Sequence, residues 1–334
     1  MTDHTIVTGG DAGGIRGVET ATARATESQA QPAGLQALPN RSPAREARHE
    51  AFELVPGVPG SGVVVLADHA TNIVPEGYPP ALGLAPDEFD RHIAYDIGVE
   101  GIARGLAERL GAPLVMSRFS RLVIDPNRGE DDPTLVMQLS DGAIVPGNHR
   151  LDEAERRRRV ARFWRPYDDA VTTVIEGALA EGIVPLVVSL HSFTARWRGV
   201  PRPWEVGILW DADDRAARAL IEGLSVDPAL TVGDNEPYDG ALGGDMMNRQ
   251  AHARGLPHAL IEVRQDLIAD RGGQREWVDR LAPLLARLDA SPGMHEVRHY
   301  LSRTDAALRP APIAGPGPAA NETLRSDAMR GGRT

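Results

Sequence analysis

The chain has 334 residues, a formal net charge of −11, no cysteine, and 36 basic residues that are all arginine. Without cysteine there is no disulfide, thiolate metal site or cysteine nucleophile, and without lysine there is no Schiff base or lysine general base. The acidic balance argues against a nucleic-acid partner, whose phosphates need a positive surface, but arginines gathered in one cleft still admit a small anionic substrate.

Residues 1–50 are rich in Ala, Gly, Thr and Ser with few large apolar side chains, which reads as a disordered leader. Residues 1–18 lack the apolar core of a signal peptide. No apolar run approaches the roughly 20 residues of a membrane span, so a cytoplasmic protein with no membrane partner is expected. A single patterned domain is expected over 51–308, followed by a disordered, proline-rich tail over 309–334. Inside the domain, short apolar runs predict strands at 63–67, 113–117, 122–125, 185–191, 206–210 and 259–263. Amphipathic stretches predict helices at 86–110, 152–181, 213–223, 244–254 and 275–288. Alternation of the two periods predicts an α/β sheet protein. The run E-A-E-R-R-R-R at 153–159 is most simply a solvated helix face.

Four of the apolar runs end in groups that have no packing use. V-V-V-L-A leads into Asp68-His69, L-V-I-D into Pro126-Asn127-Arg128, P-L-V-V-S-L into His191-Ser192, and A-L-I into Glu262-Val263-Arg264. In open α/β sheets ligand sites assemble at the carboxyl ends of strands. His69 and His191 are therefore candidate metal ligands, against the plainer alternative of core histidines bonded to backbone. His252, just before the last strand, is a candidate to reach the pocket, whereas His92 and His149 have ordinary surface explanations. Glu262 is the candidate proton shuttle, with a buried ion pair to Arg264, two residues on and on the same face, as the plainer and compatible reading, and Arg264 is itself a candidate substrate-binding residue. The Arg128 fork beside Asn127 suits a substrate carboxylate. Arg121 is placed to polarise a scissile carbonyl, with a structural ion pair as the alternative.

H-A-T-N-I-V-P, S-R-L-V-I-D-P-N-R, S-L-H-S-F and I-E-V-R-Q-D, in this order across roughly residues 60–290, resemble the N-formylglutamate amidohydrolase family, and more distantly the zinc carboxypeptidase and aspartoacylase fold. The resemblance implies a three-layer fold with a mixed central β-sheet flanked by helices, one Zn2+ ion, and hydrolysis of an N-formyl or short N-acyl amino acid. It implies His69 and His191 as metal ligands, Glu262 as general base, Asn127 and Arg128 as the carboxylate clamp, and Arg121 as the carbonyl-polarising group. The wider superfamily has a glutamate ligand three residues after the first histidine, where this chain has Asn72. That leaves Asn72, Asp68 or a water as third ligand, with Asp96 as a candidate to orient the imidazoles. Asn72 also keeps open a non-catalytic binding protein on a degenerate scaffold, beside a carboxypeptidase or another N-acyl amino acid deacylase of the same fold.

Overall fold

The computed structural model describes residues 50–304. The expected leader, apart from Glu50, and the whole expected tail lie outside the described residues. Seven strands form one sheet: β1 Phe52–Val55, β2 Val63–Ala67, β3 Leu114–Ser117, β4 Leu186–Phe193, β5 Val206–Leu209, β6 Val232–Asp234 and β7 His258–Arg264. Their spatial order is β1-β3-β2-β4-β7-β5-β6. β3, β2, β4 and β7 run parallel, β1 is antiparallel to β3, and β5 turns antiparallel to β7 with β6 parallel to it. This is the expected mixed α/β sheet.

β2 reads as an unbroken apolar run because both of its faces are covered, and all five of its residues are buried. Val63, Val65 and Ala67 pack with α1 (Val99–Leu110), α4 (Arg215–Leu224) and α6 (Arg271–Asp289). Val64 and Leu66 face the opposite layer, where α2 (Glu153–Arg159) runs through the π-helical turn Val160–Trp164 into α3 (Arg165–Ala180). The four-residue spacing of Phe163, Tyr167, Val171 and Ile175 puts one buried stripe of this helix on the sheet. Each such side chain stabilises by roughly 1.5–3 kcal/mol relative to exposure. The short helix α5 (Met246–Gln250) lies in the same layer through Met246 and Met247. Among the described residues no helix is long and apolar enough to cross a membrane.

Three expectations need correction. Residues 122–125 form a buried turn, not a strand. The carbonyls of Leu122 and Val123 are taken by Asn148 Nδ2 and Arg159 Nη1, both at 2.8 Å, instead of by a neighbouring strand. The helix expected over 86–110 is a single turn, Pro86–Phe89, and a separate α1. Between them Asp96 N–H bonds His69 O at 2.9 Å, and Gly98 takes a left-handed conformation at φ +83°. β1 and β6 were not anticipated, because an edge strand of three or four half-exposed residues leaves little pattern.

Gly98 is required twice, by its positive φ and because a Cβ there would stand 2.1 Å from Ile268 O. Gly98→Ala is expected to cost at least about 1 kcal/mol, read as a melting temperature lowered by several degrees. An unchanged melting temperature would show that the turn does not need glycine.

Candidate metal centre and its cavity

The register of the parallel strands assembles the chemistry. Leu66 pairs with Ser189, and Glu262 pairs with His191. By alternation, Asp68, Ser189, His191 and Glu262 all fall on the α3 face of the sheet. His69, one position on, reaches Asp96 in the turn before α1. His69, Asp96 and His191 are buried, and each offers a ligand atom within 4.8 Å of the others'. Asp96 Oδ2 lies 3.3 Å from His69 Nδ1 and 2.9 Å from His191 Nδ1.

The far nitrogens of both rings also meet carboxylates. His69 Nε2 lies 2.7 Å from Asp125 Oδ1, and His191 Nε2 lies 3.2 Å from Asp68 Oδ2. Each imidazole is thus aimed by an acid behind it, an arrangement typical of metal-bound histidines. Asp68 in turn accepts from Tyr167 OH at 2.8 Å and Ser189 Oγ at 3.2 Å. Arg121 joins the remaining oxygens, Nη1 to Asp96 Oδ1 at 3.2 Å and Nη2 to Asp125 Oδ2 at 3.0 Å.

Burial alone would raise the acids. Only the combined pull of their partners offsets it, His69 and His191 for Asp96, His69 with Arg121 and Arg128 for Asp125, and His191 with His69 and Tyr167 for Asp68, so all three carboxyls are held below the usual carboxylate range. Burial likewise opposes a charge on His191, but Asp68 and Asp96 raise its pKa well above the ordinary imidazole value. Three ionised acids against one guanidinium leave two buried negative charges when the imidazoles are neutral. A divalent cation would balance them, and two imidazoles with one carboxylate form a donor set that catalytic zinc can take.

Glu262 is 7% exposed. Burial pushes its carboxyl up to about 7, against the pull of His191, and its Oε2 has no hydrogen-bond partner among the described residues. The alternative pairing is not found, because Arg264 bonds Glu205 at 2.8 Å and Asp266 at 2.9 Å.

A cavity of about 310 Å³ is lined by the three cluster residues, Glu262, Arg121, Asn127 and Arg128, a size suited to a small ligand. His92, Phe193, Tyr238 and Asp245 complete parts of its wall. Burial pushes the Asp245 carboxyl up to about 7. A larger, more open groove of about 1010 Å³ runs between α1 and α6 and contains none of the cluster.

The loop carrying Asn127 and Arg128 is held from the α3 side. Trp164 Nε1 donates to Arg128 O at 2.9 Å, and Arg249 Nη2 donates to Pro126 O at 3.1 Å. Asn127 Oδ1 accepts from Met246 N–H at 3.0 Å, which leaves its NH2 group for a ligand. Arg128 donates only to Asn127 O, at 2.8 Å, and has no carboxylate partner among the described residues.

Of the residues singled out from sequence, His69, His191, Glu262, Arg121, Asn127 and Arg128 converge on this cavity, whereas Asn72, Asp68, Arg264 and His252 do not line it. Asn72 turns outward and donates to Asp90 Oδ1 at 3.3 Å. Its place as third member of the cluster is taken by Asp96, which the turn before α1 brings in from 27 residues away. Asp68 lies behind His191 because strand alternation points it away from His69. Arg264 is engaged with its acids. His252 packs edge-on against His258 with ring centroids 5.9 Å apart, and its Nε2 stands 3.7 Å from Asp211. It does not line the cavity. Asp125 and Tyr167 were not anticipated. Asp125 had a signal, an acid closing an apolar run, whereas Tyr167 sits in an ordinary amphipathic helix.

Residues 61–269 match the family model of N-formylglutamate amidohydrolase. Among solved structures, a gene product of Agrobacterium tumefaciens is 37% identical, with a TM-score of 0.69 over 72% of this chain and 96% of its own. N-formylglutamate amidohydrolase from Ralstonia eutropha JMP134 is 23% identical, with a TM-score of 0.58 over 72% of this chain and 98% of its own, and shares the fold. No curated protein matches the chain. The family match covers more than half of the sequence, and the chain belongs to the N-formylglutamate amidohydrolase family of amidohydrolases.

Proposed function

We propose that this protein is a zinc-dependent hydrolase of N-formyl or short N-acyl amino acids such as N-formylglutamate. One observation carries the reading: Glu262, whose Oε2 has no hydrogen-bond partner among the described residues, lines the same cavity as the His69–Asp96–His191 cluster and Arg128, which forms no ion pair among the described residues. Zinc held by His69, Asp96 and His191 would supply Lewis acidity towards water and the amide carbonyl.

The remaining steps belong to the chain. Arg128, with the NH2 group of Asn127, grips the α-carboxylate and fixes the amide in the cavity. Glu262 takes a proton from the attacking water as its oxygen bonds to the carbonyl carbon. It returns that proton to the amine nitrogen as the C–N bond breaks, giving formate and the free amino acid. Arg121 has both terminal nitrogens committed to Asp96 and Asp125, so it acts on the carbonyl through its charge. A non-catalytic relic is disfavoured, because Asp96 supplies the third donor that Asn72 does not.

Metal content and formate release from a panel of N-formyl and N-acetyl amino acids test the reading together. Stoichiometric zinc, turnover lost on chelation and turnover restored by zinc are expected. Metal-loaded protein idle on the whole panel would overturn it.

Arg128→Ala is expected to raise KM by about 10- to 100-fold, the value of a charge-assisted contact. The effect shrinks when the substrate's α-carboxylate is replaced by a carboxamide. Equal losses on both substrates would mean that Arg128 only supports its loop.

A further inference from the structure

β4 carries His191 and Ser192, ends at Phe193, and continues through Thr194 into a hairpin that pairs Arg196–Trp197 with Val200–Pro201. In a chain of net charge −11, this hairpin and the residue after it place Arg196, Arg198 and Arg202 together. None of the three has a carboxylate partner among the described residues. Arg196 Nη1 donates to Gly199 O at 3.1 Å, and Arg198 lies over the Trp197 ring.

Arg202 is the one built in. Its guanidinium carbon stands 5.6 Å from the Phe193 ring, 5.4 Å from Trp197 and 5.0 Å from Tyr238. Nη1 donates to Tyr238 OH at 3.1 Å and to Thr194 Oγ1 at 3.3 Å. Phe193, Thr194 and Tyr238 all line the cavity of the metal cluster, and Tyr238 is 44% exposed, so Arg202, itself outside the lining, is fixed against three residues of that wall. The aromatic faces and Nη1 bonds hold the fork still, while Nε and Nη2 make no hydrogen bond among the described residues. Those two groups form the edge that a carboxylate engages with two parallel bonds.

Inside the cavity the cations are already assigned. Arg121 is held by Asp96 and Asp125, which leaves Arg128 for one carboxylate. An N-formyl amino acid with an acidic side chain brings a second. We propose that Arg202 is the receptor for that second carboxylate, and so the residue that makes the site prefer N-acyl derivatives of dicarboxylic amino acids over their neutral counterparts. The assignment rests on the hydrolase reading above and adds the residue that reads the substrate side chain.

The test compares N-formylglutamate with N-formylglutamine, which differs by one charge at nearly constant shape, using zinc-loaded full-length protein. Wild type is expected to favour the glutamate by at least about tenfold in kcat/KM, as one charge-assisted contact implies. Arg202→Gln is expected to bring that ratio to within about threefold of unity, and Arg202→Lys, which keeps the charge but not the fork, to an intermediate value. A hairpin that merely supports the fold would lower both substrates together and leave the ratio where it was. A ratio untouched by Arg202→Gln, or a wild type with no preference for the glutamate, overturns the role of Arg202 alone. A wild type idle on both overturns the hydrolase reading and this assignment with it.

Discussion

Glu262→Gln is expected to lower kcat by about 10²- to 10⁴-fold, the contribution of a positioned acid–base group, while bound metal stays at the wild-type level. The amide keeps the size of the side chain but has no basic oxygen, and the three candidate metal ligands are untouched. The pH dependence gives a second readout. Glu262 is pushed up to about 7, and only its ionised form accepts a proton, so wild-type kcat rises with pH through about 7 and the variant loses that limb. Stability runs the other way. A carboxyl whose folded-state pKa lies above its unfolded value contributes stability below the unfolded value and loses it as pH rises through the folded one. The variant, which never ionises, is therefore expected to gain on wild type in melting temperature between pH 5 and pH 8. Measuring kcat, zinc content and melting temperature across that range settles the role, and near-normal turnover in the variant would sink the mechanism.

Asp96→Asn is expected to abolish stoichiometric metal binding, whereas Asn72→Ala leaves it intact. Asp96 Oδ2 stands between the two Nδ1 atoms, so losing its charge should weaken the metal by more than the roughly 10- to 100-fold typical of groups that act through a ligand. Asp68→Asn, behind His191 Nε2, is expected to fall within that lesser range. Among the described residues the Asn72 side chain bonds only Asp90. Dialysis against zinc followed by metal analysis ranks the three, and loss of metal in Asn72→Ala with retention in Asp96→Asn would reverse the assignment.

Local sequence determined the parts of this protein whose environment is one-sided. Runs such as V-V-V-L-A and P-L-V-V-S-L are apolar throughout because parallel strands are covered on both faces. A polar group closing such a run stands out for the same reason, which is how His69, His191, Glu262 and the Asn127–Arg128 pair were legible. Which of these groups meet was decided only by tertiary structure. The strand-like L-V-I-D became a turn because its carbonyls found Arg159 and Asn148, partners 36 and 26 residues away whose approach leaves no local pattern. Asp96 entered the cluster through a left-handed turn at Gly98 and a bond to His69 O, and Asn72, three residues from His69, was turned outward. Arg264, two residues from Glu262 and on the same face by alternation, took Glu205 and Asp266 instead. Spacing along a chain states which faces residues share, but a charge goes to the partner that relieves its burial at least cost, and those partners came from other elements of the fold.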